Sequence, residues 1–97
     1  MILAKRHVRD GKLVLVVCDQ KLLGKKISEG DKQLDLAAAY YQGAPISGQE
    51  FLKVLDEAYI LDGVGPEATG ILVKSGKISE KDLLHIAGIP YIIIYRR

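Results

Sequence analysis

Apolar and polar positions change period several times along this 97-residue chain. Residues 2–8 and 12–18 are two runs rich in aliphatic side chains, separated by Asp10-Gly11. Asp and Gly tolerate the positive φ that a type I′ turn demands, so the pattern predicts a β-hairpin. Leu13 to Val17 is continuously apolar, as in a strand covered on both faces. In the first strand Leu3, Lys5, His7 and Arg9 alternate with Ile2, Ala4, Arg6 and Val8, a more polar pattern that places it nearer an edge.

Asp19 to Gly30 reads as a polar loop anchored by Leu22-Leu23. Residues 33–40 start as a strand at Leu34 and Leu36, although Ala37-Ala38-Ala39 also suits a helical turn. Gly43-Ala44-Pro45 ends that segment. Ser47-Gly48-Gln49-Glu50 fits a capping box, which predicts a helix running to Ile60. Phe51, Leu55, Ala58 and Tyr59 form its apolar stripe, with Leu52 beside them, while Glu50, Lys53, Asp56 and Glu57 face outward. Leu61 to Gly65 reads as a glycine-rich turn, and Pro66 as the first turn of a second helix that ends at Gly76. Lys77 to Asp82 is a turn, followed by strands Leu83 to Ala87 and Tyr91 to Tyr95 joined at Gly88. The expectation is a single α+β domain over residues 1–97, of order ββ(β)ααββ, with two consecutive helices on one face of a mostly antiparallel sheet.

Composition narrows this picture. A hydrophobic content of 48% fills a core without disulfide or metal staples. The single cysteine, Cys18, lies within the apolar second run and reads as a buried small hydrophobe, consistent with a reducing compartment. The longest uncharged apolar stretch, Leu83 to Tyr95, falls short of the roughly 20 residues of a membrane span. The first residues carry their charges after the apolar ones, opposite to a signal peptide, so a cytoplasmic location is expected. The absence of Asn, with many Lys and Ile, resembles a thermophile's composition. Net charge is +2, but residues 1–32 carry +4, residues 33–67 carry −5 and residues 68–97 carry +3.

Two patterns point to nucleic acid. Leu61 to Thr69, with Gly63 and Gly65 around Val64, resembles a helix-hairpin-helix turn, whose backbone N–H groups cradle phosphate. Its charge is unfavourable, because Asp56, Glu57, Asp62 and Glu67 lie close in sequence. A tight connection between two packed helices explains the same glycines. The second pattern is a basic stripe of Lys5, Arg6, Arg9, Lys12, Lys21, Lys25, Lys26 and Arg96-Arg97, with Tyr91 and Tyr95 placed to stack on bases. A solvated surface explains that stripe equally well.

Signs of catalysis are sparse. His7 and His85 have no Cys, Asp or Glu at metal-ligand spacing, and Gly24-Lys25-Lys26 lacks the upstream glycine and hydroxyl of a phosphate-binding loop. An enzyme would have to rest on Asp19 and His85 lying within hydrogen-bond reach.

Several segments in one order resemble the archaeal family known as domain of unknown function 424. They are Val17-Cys18-Asp19-Gln20-Lys21-Leu22-Leu23-Gly24-Lys25, Glu29-Gly30-Asp31, Tyr40-Tyr41-Gln42-Gly43, Val64-Gly65-Pro66-Glu67-Ala68 and Ile86-Ala87-Gly88-Ile89-Pro90-Tyr91. The chain departs from that pattern at Tyr91, where a histidine tends to follow the proline, and at Gly63. The resemblance implies an archaeal cytoplasmic protein without an established activity, and an association with RNA or translation.

The combined expectation is a non-enzymatic domain that binds RNA or a ribonucleoprotein, without a cofactor or metal. Arg6, Lys25, Lys26, Gly63 and Gly65 would be its contacts. The alternative is a protein-interaction module whose acidic helix, carrying Glu50, Asp56 and Glu57, meets a basic partner.

Overall fold

A computed structural model describes residues 1–95 of the chain; Arg96 and Arg97 lie outside the described residues. The first hairpin forms as expected. Strands β1 (Ile2–Arg9) and β2 (Lys12–Asp19) pair antiparallel across a turn in which Asp10 and Gly11 both have positive φ, 55° and 76°. Strand β2 is buried from Val14 to Asp19, as its unbroken apolar run requires.

The polar loop expected over Asp19 to Gly30 is partly regular structure. A 3-10 turn spans Gln20–Leu22, and β3 (Lys26–Glu29) pairs with β4 (Lys32–Asp35) in a small separate hairpin. Strand β4 ends before the alanines, and a 3-10 turn at Ala39–Tyr41 takes up the helical tendency of that segment. Strand β5 (Ala44–Ile46) was hidden by Pro45, which lacks the N–H of an ordinary strand residue. It sits at the sheet edge and pairs with Ile2, Leu3 and Ala4 alone.

Helix α1 (Gly48–Leu55) begins where the Ser47 hydroxyl accepts from the Glu50 N–H at 3.1 Å. It ends five residues earlier than its periodicity suggested. Residues 60–64 instead form strand β6 (Ile60–Val64) in the middle of the sheet. Asp62 and Gly63 are poor strand formers. Here position overrides propensity, because β6 is held parallel to β2 on one side and antiparallel to β8 (Ile89–Tyr95) on the other. Two consecutive helices and a helix-hairpin-helix turn are therefore both excluded. Helix α2 (Pro66–Lys74) follows the strand with Pro66 in its first turn, and Gly76 closes it at φ 80°. Strand β7 (Leu84–Ile86) and β8 complete a six-stranded mixed sheet of order β5-β1-β2-β6-β8-β7. The α+β class stands, with one parallel pair among antiparallel neighbours.

Strand pairing sorts side chains onto two faces. On the first, Ile2, Leu15, Val17, Leu61 and Ile92 pack against Phe51, Val54 and Leu55 of α1 and Ala68 and Leu72 of α2. On the second, Cys18 and Val64 pack with Leu22 and Leu36, joined by Ile27, Leu34, Tyr41, Ile89 and Tyr91. The helices cover the first face. The β3–β4 hairpin and the Ala39–Tyr41 turn cover only part of the second.

The last residue of β2 locks the sheet to α2. Asp19 is buried, and its carboxylate accepts from the N–H groups of Glu67 at 2.9 Å and Ala68 at 2.8 Å. These are first-turn donors that the helix cannot satisfy itself, and the helix dipole favours the anion there. Burial pushes the Asp19 carboxyl upward while the two N–H bonds oppose that rise. Gly65 makes the approach possible. Its φ is +111°, and a Cβ there would lie 2.3 Å from the Asp19 Cγ. Gly65→Ala is therefore expected to destabilise the fold by roughly 3 kcal/mol or more, and Asp19→Ala by roughly 2–4 kcal/mol. In the double variant the added methyl meets no carboxylate, so the two losses fall short of their sum by at least about 1 kcal/mol. Urea denaturation of the four proteins measures that coupling; strict additivity would disprove the clash.

Candidate nucleic-acid interface on the open sheet face

The helix-hairpin-helix expectation fails for a physical reason. Gly63 lies in β6 beneath Leu72 and Ile92, buried from any ligand. The Gly65 N–H donates to the Pro90 carbonyl at 2.8 Å. The anion that the α2 N-terminus favours is supplied by the protein as Asp19. Glu67 is further bound by the Met1 amino group at 2.7 Å. Gly63 and Gly65 are thus elements of the fold, and the phosphate contacts assigned to them are withdrawn. The Asp19 oxygens are occupied by these N–H groups, and among the described residues no hydrogen bond joins Asp19 to His85.

The expected basic contacts do not share a surface. Arg6 pairs with Leu15 in β1–β2 and so projects from the helix face, beside Glu50, Pro45 and Ile46. Lys25 and Lys26 are exposed at the start of the small hairpin. Lys5, Arg9 and Lys12 lie on the opposite face of the sheet from Arg6, as the alternation along β1 and β2 dictates. Arg96 and Arg97 fall outside the described residues.

The uncovered part of that second face is where polar and aromatic chemistry collects. Pairing places Asp62 beside Val16 on one side and Ile93 on the other, with Ile60 and Tyr95 opposite each other two residues away. Tyr95 is 67% exposed and Ile93 45% exposed, and Leu84 of β7 is exposed on the same face. The Ala39–Tyr41 turn borders this surface. It is fastened by Lys5 Nζ donating to the Ala39 carbonyl at 3.1 Å. His7 lies 3.2 Å from the Tyr40 carbonyl, and the two rings stack 4.8 Å apart at 14°. At the end of the surface, exposed Arg9 and Lys12 border a cavity of about 150 Å³ with Tyr59 and Ile60. The Lys12 ammonium sits 4.2 Å from the centre of the Tyr59 ring.

Asp62 is the unusual member. Burial pushes its carboxyl from 3.8 up to about 6, and a hydrogen bond with the Tyr40 side chain opposes the shift. Among the described residues no Lys or Arg forms an ion pair with it. The titratable groups on the same face are Tyr40 and Tyr41 on the turn, Lys5, His7 and Arg9 on β1, Cys18 on β2 and Tyr95 on β8. Desolvation and the charge of Asp62 in turn raise Tyr41. The Cys18 thiol is pushed up to about 11, chiefly by burial, which makes it unreactive. A desolvated carboxylate without an ion-pair partner is costly to a fold. In sequence Asp62 stands out only as a charge that opposes phosphate binding in a turn. Its placement between apolar strand residues was the available signal.

A separate open groove of about 740 Å³ runs between α2 and β7, lined by residues that include Ile71, Leu83 and His85. Its walls are mostly apolar, and it contains no such uncompensated buried charge.

The family model described as protein of unknown function (DUF424) matches residues 7–96. The chain belongs to that family. Among solved structures, an uncharacterised conserved protein from Methanopyrus kandleri is similar at a TM-score of 0.82. The likeness covers 97% of this chain and 90% of that one, at 20% identity, and it shows a shared fold. No curated protein matches the chain. No helix is long and apolar enough to cross a membrane among the described residues of this family member.

The Asp62 environment has a signed consequence for stability. Its folded-state value, about 6, lies above the 3.8 of an ordinary carboxyl. Between those values the folded protein holds a proton that the unfolded chain has released, so stability decreases as pH rises through that window. Above pH 6 the full penalty is present; at lower pH it is relieved. Asp62→Asn, which keeps an acceptor for Tyr40, should flatten this part of the profile. It should raise stability at pH 8 by on the order of 1 kcal/mol after solvent screening. Urea denaturation from pH 4 to pH 8 provides the check, and an unchanged slope in the variant would refute the assignment.

Proposed function

We propose that this protein binds single-stranded RNA on the open half of its second sheet face. The observation that carries the reading is the exposed Tyr95 and Ile93 surface, bordered by the His7–Tyr40 stack and flanked by Arg9 and Lys12. Single strands are bound by aromatic faces that stack on bases and by cations that follow the backbone. A sheet provides both at fixed spacing, because alternate residues of neighbouring strands line one face. Here the cations lie at the edge of the aromatic surface, where phosphates of a strand with inward-facing bases would run. The acidic outer side of α1 and the turn after it, with Glu50 and Glu57 exposed, is on the other side of the sheet.

Fluorescence anisotropy with a labelled single-stranded RNA, at several salt concentrations, tests this reading. Binding should weaken steeply with salt. Tyr95→Ala should cost about 1–3 kcal/mol at constant salt, and the Arg9→Glu, Lys12→Glu pair should lower the log–log salt slope by about 2. The Lys25→Glu, Lys26→Glu pair should weaken binding less than the Arg9, Lys12 pair does. Absence of binding at low salt, or a loss confined to Lys25 and Lys26, would reject this face as the interface. In the first case the acidic helix becomes the surface to probe with basic protein partners.

A further inference from the structure

Resting on that reading, we propose that the site selects guanine, with the Asp62 carboxylate accepting from the base's N1–H and N2 amino groups. Asp62 projects from the central strand β6 into the open surface, between the registers of Val16 and Ile93. It is partly accessible there, and the described residues supply it no cation. An ionised carboxylate only accepts hydrogen bonds, at about four lone-pair positions on two oxygens. The Tyr40 hydrogen bond uses part of that capacity.

The vacant acceptors discriminate among the ligands a single strand can present. Phosphates are repelled by a second negative charge. Guanine offers two adjacent donors, N1–H and the N2 amino group, at the spacing of two carboxylate oxygens. Adenine and cytosine each present one amino group beside a ring nitrogen acceptor, which the carboxylate repels. Uracil presents one N–H between two carbonyl oxygens. Only guanine thus matches both oxygens of Asp62 without placing an acceptor against them. The neighbouring Tyr95 ring, exposed on β8, supplies a face for the same or an adjacent base. This also gives a reason for a carboxylate in a surface that otherwise favours RNA: it reads a base while Arg9 and Lys12 hold the backbone.

The test compares heptamer uridine RNAs carrying guanosine, inosine, adenosine or uridine at the central position. Inosine keeps N1–H and lacks the N2 amino group. The native protein should bind the guanosine oligomer about tenfold more tightly than the adenosine or uridine ones, with inosine intermediate. Asp62→Asn should reduce the guanosine preference, read as the ratio of guanosine to uridine affinities within the variant, to less than about twofold, whatever loss of the charge does to RNA affinity in general. Circular dichroism of the variant confirms that it is folded. Equal affinity of the native protein for all four oligomers would overturn guanine selection and leave RNA binding standing. A preference retained by Asp62→Asn would overturn the role of this carboxylate. Failure to bind any of the oligomers would overturn both the selection and the RNA-binding reading beneath it.

Discussion

The contact between Asp19 and the first turn of α2 sets the terms for the rest of the molecule. It joins the end of the most buried strand to the start of a helix 48 residues later, through first-turn N–H groups that the helix itself leaves unpaired. Because the carboxylate must approach backbone closely, Gly65 carries no side chain. Because β6 must deliver the chain to that point, residues 60–64 run parallel to β2. The helix dipole is consequently used within the fold. An anion site at this terminus would require Asp19 to leave, removing the acceptor of the Glu67 and Ala68 N–H groups.

Much of the fold was legible where local signals and tertiary demands agree. Asp10-Gly11 fixed the first hairpin, the Leu13 to Val17 run identified a strand buried on both faces, and Ser47, Pro66 and Gly76 marked helix ends. Failures cluster where one residue type serves two purposes. Gly63 and Gly65 were read together as a turn, yet Gly63 is a strand residue under α2 and Gly65 is the clearance for Asp19. Pro45 concealed an edge strand whose outer side has no ladder to complete. These are long-range conditions: Gly63 pairs with Val17, Gly65 clears Asp19 and Pro45 pairs with Leu3.

The candidate site was less legible for a related reason. Alternation along β1 separates Arg6 from Lys5 and Arg9, so a stripe of cations in sequence becomes cations on two faces of a sheet. The importance of Tyr95 could be anticipated from its place on an alternating terminal strand. Asp62 could not, since its meaning comes from β2, β8 and the Ala39–Tyr41 turn meeting around it. Tyr91 and Tyr95 share one face, but the small hairpin covers the first and stops short of the second.

That division of the second face links stability to function. Where Cys18, Val64 and Tyr91 meet the hairpin, the sheet contributes a second apolar core. Beyond its edge, the same strands carry an uncompensated carboxylate, a stacked His–Tyr pair and exposed aromatic and aliphatic side chains. A hairpin extended over this half would shield the apolar residues but deepen the burial of Asp62, and among the described residues no ion pair offsets that cost. Covering the surface with protein is therefore opposed by the same carboxylate that a donor-bearing ligand would satisfy. The incomplete second layer and the unpaired carboxylate are two sides of one arrangement, an open sheet half beside a core that is closed.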